Sequence, residues 1–381
     1  MNVNRNQLKI VLVGPTYPFR GGISHYTTLL CQHLRKRHEV RFFTFRRQYP
    51  TWLFPGRSDR DEASEAVLHV EGEAVLDGVN PLTWWRVARS IQHTPPDLLI
   101  VQWTVSYWIP MLWLLTRFAP PSTRTVMICH NASPHEQGRP LVARLMHWLQ
   151  RQVMAQVDHL ICHAESDVQE LRTLLPEKPI TRVMLPSYQA LAELTPPVKR
   201  AKRGKPHLLF FGFVRPYKGV DLLLEAMPKV LAALPDAYLT VAGEWWDAAG
   251  DPEAQLDPAL RNSVEIVNRY LPNEEMAALF HAADVVVLPY RSATQSAVVQ
   301  LAYGFGVPVI TTAIGGLPEA VAHEESGFVV PPHDPEALAD AIIRYHTEGW
   351  RKRLAPGVTA ARERFSWTKM IEELEGQQAE G

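Results

Sequence analysis

Short, continuously apolar runs recur along the chain, each followed by a polar or glycine-bearing loop and then by a stretch of helical periodicity. Residues 8–13 (LKIVLV) are the first such run, and 40–45, 67–70, 97–101, 126–129 and 159–162 follow. A run of this kind suits a strand covered on both faces of a parallel sheet. Helical spacing is expected over 23–36 and 140–157, and a core helix over 106–119. The charged segment 57–65 is expected to be exposed. After residue 207 the alternation restarts, with strands expected at 208–212, 238–242, 264–267, 285–288, 308–312 and 327–330, and helices at 220–232, 335–344 and 360–375.

Between these series lies LTPPVKRAKRGKPH, rich in Pro, Lys and Arg and without apolar periodicity. It reads as a linker over 191–207. The chain is therefore expected to be α/β, with a Rossmann-like, doubly wound domain over 1–190 and another over 208–350. Residues 351–381 are expected to form a C-terminal helix that can cross back to the first domain. A length of 381 residues also favours more than one domain.

The stretch from Leu288 to Glu319 concentrates the ligand signal. A buried strand runs into a polar loop, a helix opens near Ser296, and a second strand leads to Gly315-Gly316. A helix opening straight from a strand end offers unpaired N–H groups and the positive end of its dipole to an anion. In parallel α/β sheets such seats lie at the carboxyl ends of the strands. A second seat is expected in FVRPYKG, where Arg215 and Lys218 flank a proline ahead of a helix, an arrangement suited to a diphosphate. Gly21-Gly22 reads equally as a loop touching a ligand and as a tight turn, and it lacks the spacing of a dinucleotide fingerprint. His130, at the exit of the strand ending at Cys129, reads either as a ligand contact at the sheet rim or as a structural histidine.

Composition narrows the field. Hydrophobic residues make up 46% and charged residues 21%, as in globular domains. The net charge of -1 conceals an asymmetry: residues 1–190 hold 21 Lys and Arg against 15 Asp and Glu, and the remainder 18 against 25. Three separated cysteines in apolar or mixed segments, with no CxxC, read as reduced core thiols, and no metal is expected. The N-terminus enters a strand without a signal-peptide pattern, so a cytoplasmic location is expected. SYWIPMLWLLTRFA at 106–119 is too short to span a bilayer. The basic, Trp-bearing first half adds the expectation of peripheral contact at the inner membrane face, and no nucleic-acid partner is expected.

Six motifs in order, PFRGGISHY, CHN at 129–131, FGFVRPYKGVDLLLEA, ADVVVLPY, GVPVITTAIGGLPE and ESGFVVPPHDPEALADAI, give the chain its resemblance to the retaining, nucleotide-sugar-dependent GT-B glycosyltransferases, family 4-like, group 1. The resemblance implies an acceptor-binding first domain and a donor-binding second domain. It implies that Arg215 and Lys218 clamp the donor diphosphate, that Gly21 and Gly22 face the donor from the other side, and that His130 lies beside the sugar. The loop at Tyr270 would pass the base. UDP- or GDP-sugar is the implied donor, and a glycan, a lipid-linked or a small-molecule acceptor the second substrate, with no cofactor or metal. The family's two glutamates fall on Ala293 and Leu301, so Thr294, Gln295, Ser296 and Gln300 are the candidate replacements. A catalytically silent nucleotide-sugar binder and a GT-B-fold epimerase are the alternatives.

Overall fold

The computed structural model describes residues 7–50, 58–65, 67–131, 140–195, 206–246 and 256–376. Within these the chain divides into two compact units. One comprises Met1–Phe54, Leu68–Met184 and Trp367–Gly381, and the other Pro55–Val67 and Leu185–Ser366. Most of the expected linker, residues 196–205, lies outside the described residues.

The first unit is built on β1 (Lys9–Val13), β2 (Glu39–Arg47), β3 (Glu73–Asp77), β4 (Leu98–Trp103), β5 (Arg124–Cys129), β6 (His159–Cys162) and β7 (Ile180–Arg182). They form one seven-stranded sheet in the order β3-β2-β1-β4-β5-β6-β7, and every pairing is parallel. Because β4 returns to the far side of β1, the order reverses between these strands, and their carboxyl ends open a crevice there. One face is sealed by a core in which Val11, Val13, Leu99, Val101 and Met127 meet Trp84, Ile91, Leu112, Leu115 and Met154 from the covering helices. These helices are Pro81–His93, Ile109–Arg117 and Pro140–Gln156.

The second unit repeats the plan. Strands β8 (His207–Phe211), β9 (Tyr238–Ala242), β10 (Val264–Val267), β11 (Val285–Leu288), β12 (Val309–Thr312) and β13 (Gly327–Val330) pair in the order β10-β9-β8-β11-β12-β13, all parallel. The reversal here falls between β8 and β11. Both units are thus doubly wound sheets of the kind expected.

Three local expectations are corrected. Residues 67–70 form no strand; the edge strand is β3, at Glu73–Asp77, where only Leu76 is buried and the rest of the pattern is that of a sheet margin. The segment 57–65 is not uniformly exposed: Asp61 and Ser64 are buried. Asp61 accepts a hydrogen bond from the Tyr270 hydroxyl at 3.1 Å, and Ser64 Oγ accepts one from the Asn273 N–H at 2.8 Å, fixing the segment to the second unit. The expected helix 360–375 is two helices, Trp350–Arg364 and Trp367–Leu374, because the chain passes from one unit to the other between them. The carbonyl at the break, that of Phe365, instead accepts from the Ser187 N–H at 2.8 Å.

Candidate functional site

In the second unit the candidate residues gather at the β8/β11 reversal. Beyond β8 the backbone turns at Gly212, whose φ of 110° is accessible to glycine and disfavoured for other residues. A Cβ built there would sit 3.2 Å from Lys218 Nζ and 3.5 Å from Val298 Cγ2. The missing side chain is therefore the space that the Lys218 ammonium and the first turn of helix Ala297–Gly304 share. That helix is not capped by a side chain; Ser296, its N-cap residue, is buried and makes no capping bond. Its dipole presents positive potential on the side where Lys218 sits.

Lys218 belongs to a short 3-10 turn, Pro216–Lys218. Its Nζ lies 5.5 Å from the centre of the Tyr290 ring, and it is half-buried. Burial, with repulsion from Arg215 added, pulls the ammonium from its ordinary 10.5 down to about 8. Arg215 sits over Trp246, its guanidinium carbon 4.7 Å from the ring centre, and Trp246 stacks on Phe213 at 4.2 Å. Neither cation has a carboxylate partner among the described residues. The neighbouring Arg291 differs: it forms a bidentate pair with Asp221 and donates to the Pro216 carbonyl at 3.0 Å, while its own N–H donates to Tyr217 O at 2.7 Å. Arg291 ties the β11 exit to the turn carrying Lys218, and it leaves Arg215 and Lys218 as the uncompensated pair.

The remaining candidates are dispersed around this centre. The Thr294 carbonyl accepts from Gly316 N at 2.9 Å, so the loop before the helix is held by the Gly315-Gly316 turn. Gln295 lies half-buried in the same loop. Gln300 is wholly buried, and neither its amide oxygen nor its nitrogen finds a hydrogen-bond partner. Leu301 is also buried, and Ala293 turns its carbonyl oxygen toward Gly315. Tyr270 stands on the loop after β10, where its hydroxyl is committed to Asp61.

Gln300 yields a direct expectation. A buried amide without partners costs ~1–3 kcal/mol, and an apolar group of similar shape removes that cost. Gln300→Leu is expected to raise the melting temperature of the ligand-free protein and to diminish the further rise produced by UDP. Melting curves with and without UDP read both effects, and an undiminished UDP shift would exclude Gln300 as a ligand contact.

The first unit holds the other candidates. Gly21 has φ 102° and nothing lies within 4 Å of a Cβ placed on it, so glycine is required there by the backbone and not by crowding. Gly22 opens the helix Gly22–Arg35. His130 follows β5, with Nε2 2.7 Å from Gln102 Oε1, its ring edge-on to Tyr26 at 4.8 Å and 5.4 Å from that of His163. Burial, and then His163, hold His130 well below the ordinary histidine range, so it is neutral. With the Gln102 carbonyl as acceptor, Nε2 carries the proton and Nδ1 is the acceptor. His163 donates through Nδ1 to Val183 O at 2.8 Å and is likewise held down by burial, to about 4.

Sequence reasoning missed Trp246, Gln102, Tyr26 and Trp367. Two of these left a signal, a polar Gln102 inside an apolar strand and the Trp245-Trp246 pair just past another. Trp367, 5.2 Å from Tyr26, arrives from the far end of the chain and left none.

Two doubly wound units, the second with a cationic seat at its switch point, define a GT-B fold. The family described as Glycosyl transferase 4-like domain matches residues 21–186, and Glycosyl transferases group 1 matches residues 205–348. The chain belongs to the GT-B glycosyltransferase family. It is 30% identical over 242 residues to a D-inositol 3-phosphate glycosyltransferase of Saccharomonospora viridis, the match covering 59% of this chain and 56% of the relative. The chain thus spans little more than half the length of the curated relatives it matches. Among solved structures, sucrose-phosphate synthase from Thermosynechococcus elongatus has a TM-score of 0.70 at 20% identity, covering 97% of this chain and 99% of that one. Anabaena HepE in complex with UDP has a TM-score of 0.67 at 16% identity, covering 97% and 98%. Among the described residues no helix is long and apolar enough to cross a membrane.

Proposed function

We propose that the protein moves a sugar from a UDP- or GDP-sugar to a glycan, lipid-linked or small-molecule acceptor with retention of anomeric configuration. The observation that carries this reading is the pair Arg215 and Lys218, two cations with no carboxylate partner among the described residues, beside the space over Gly212. As the glycosidic bond breaks, negative charge grows on the β-phosphate of the leaving nucleoside diphosphate. Cations already fixed in a partly dry site stabilise that charge with little reorganisation. Arg215, seated over Trp246, offers a planar fork of donors; Lys218 offers a point charge, and the helix Ala297–Gly304 its dipole. These charges do what a divalent ion would otherwise do, and no metal is required. Retention follows if the departing phosphate takes the acceptor hydroxyl proton on the same face, a route that needs no protein nucleophile. The relative's name supports glycosyl transfer, and the complexes of the fold neighbour HepE with UDP and with UDP-glucose support a nucleotide-sugar donor.

The test is release of UDP or GDP from labelled nucleotide-sugars in the presence of candidate acceptors. Binding without release would favour a silent nucleotide-sugar binder, a reading motivated by Ala293 and Leu301 at the glutamate positions. Interconversion of the sugar nucleotide without any acceptor would favour an epimerase.

A pH dependence follows from Lys218. Its folded-state pKa is lowered to about 8, so the ammonium is charged below that pH and is lost as pH rises through it. In the free enzyme kcat/KM for the donor is expected to fall on the alkaline side with a midpoint near 8. A profile that stays flat through and beyond that pH would remove Lys218 from donor recognition.

A further inference from the structure

The first unit carries a helix-covered surface that holds none of the candidate site residues. Helices Pro81–His93, Ile109–Arg117 and Pro140–Gln156 contribute to one hydrophobic core beneath them and lie side by side. Thr116 Oγ1 donates to Gln156 Oε1 at 2.8 Å between the second and third of them. Their inward positions are ordinary core. Their outward positions are not: Leu82 is 65% exposed, Trp85 48%, Trp113 43%, Leu145 52% and Trp148 56%. Large exposed side chains gathered on adjacent helices call for an explanation, whereas scattered ones do not.

The charges carried by the three helices themselves are all of one sign. None of the three helices contains a single Asp or Glu. Arg86, Arg89, Arg117, Arg144 and Arg151 are exposed on the same helices, and none forms an ion pair among the described residues. Arg89 leans over Trp85, its guanidinium carbon 5.2 Å from the ring centre, so cation and aromatic share one patch. A protein partner of ordinary composition would ask for carboxylates as well as arginines. Exposed Trp and Leu among arginines that have no carboxylate partner among the described residues instead match a surface that is apolar at depth and anionic at its rim.

We propose that this face docks the protein on an anionic lipid bilayer, with Trp85, Trp113 and Trp148 seated at headgroup level and the arginines against lipid phosphates. The first unit then rides on the membrane, and acceptors anchored in that membrane are within its reach. The inference rests on the three helices alone and stands whether or not sugar transfer is the activity.

The full chain is mixed with phosphatidylcholine vesicles, with or without about one-third phosphatidylglycerol, and separated by flotation. Wild type is expected to float with the anionic vesicles, to remain largely behind with the neutral ones, and to be released by salt. Arg86→Glu and Arg144→Glu are each expected to weaken partitioning about fivefold or more. Trp85→Ala with Trp148→Ala is expected to weaken it about tenfold or more. All these side chains are exposed, so circular dichroism melts should stay as in wild type; this separates lost binding from lost fold. Equal binding to both vesicle types, or binding indifferent to the substitutions, would overturn the proposal. So would a stable dimer in solution that the tryptophan double variant turns into monomer.

Discussion

Lys218→Ala is expected to lower sugar transfer about a hundredfold or more without weakening the fold. The ammonium has no carboxylate partner among the described residues, and burial already holds its pKa down, so removing it breaks no bond and leaves no orphaned group. The melting temperature of the ligand-free variant should equal or slightly exceed that of wild type. The loss should appear in transition-state stabilisation, read as kcat/KM for the donor from nucleoside diphosphate release. Arg215→Ala is expected to match it in direction. That variant also uncovers Trp246, so a small fall in melting temperature is expected there. Normal turnover in both variants would dissolve the proposed diphosphate clamp.

Gly315→Val should disable the same site from a distance. Gly315 has φ 51°, and a Cβ there would lie 1.7 Å from the carbonyl oxygen of Ala293. Both the backbone conformation and the overlap exclude a β-branched residue unless the 293–294 peptide moves. That peptide leads into Ser296 and the helix beside Lys218, and Thr294 is bonded to the next residue of the same turn. A stability loss of about 3 kcal/mol is expected from strain and overpacking together. Donor binding should fall even at temperatures where the variant remains folded. Titration with UDP followed by tryptophan fluorescence, alongside a denaturation curve, reads the two effects. Full UDP affinity in a folded variant would show that the loop before the helix takes no part in donor recognition.

Much of this architecture was legible in the residues. Strands buried along nearly their whole length announce themselves as largely apolar runs, and β6, β9 and β11 fall where those runs lie. The edge strand β3 was not legible, because Glu73, Ala74 and Val75 are exposed and only Leu76 is buried, while the more apolar 67–70 belongs to no sheet. The helix Pro81–His93 has Trp84, Val87, Ala88 and Ile91 at helical spacing, but the exposed Leu82 and Trp85 blur its stripe. At the candidate site, Arg215 and Lys218 could be named from a strand-loop-helix pattern alone. The stacking of Arg215 on Trp246 could not: it requires β8 and β9 to lie side by side, and pairing order is a property of the whole sheet. The same holds for Asp61 under Tyr270, residues far apart in the chain and joined only by the fold.

The way the chain is shared between the units constrains how it can be taken apart. A cut at residue 184 would leave the leading fragment without Trp367 against Tyr26 and without Glu375 against His38. The trailing fragment would lose Asp61 and Ser64, the caps over Tyr270 and Asn273. Neither piece is a self-sufficient building block, so exchanging halves with a related enzyme means carrying over the short interlaced segments as well, and a chimera joined at one seam inherits mismatched contacts at two others.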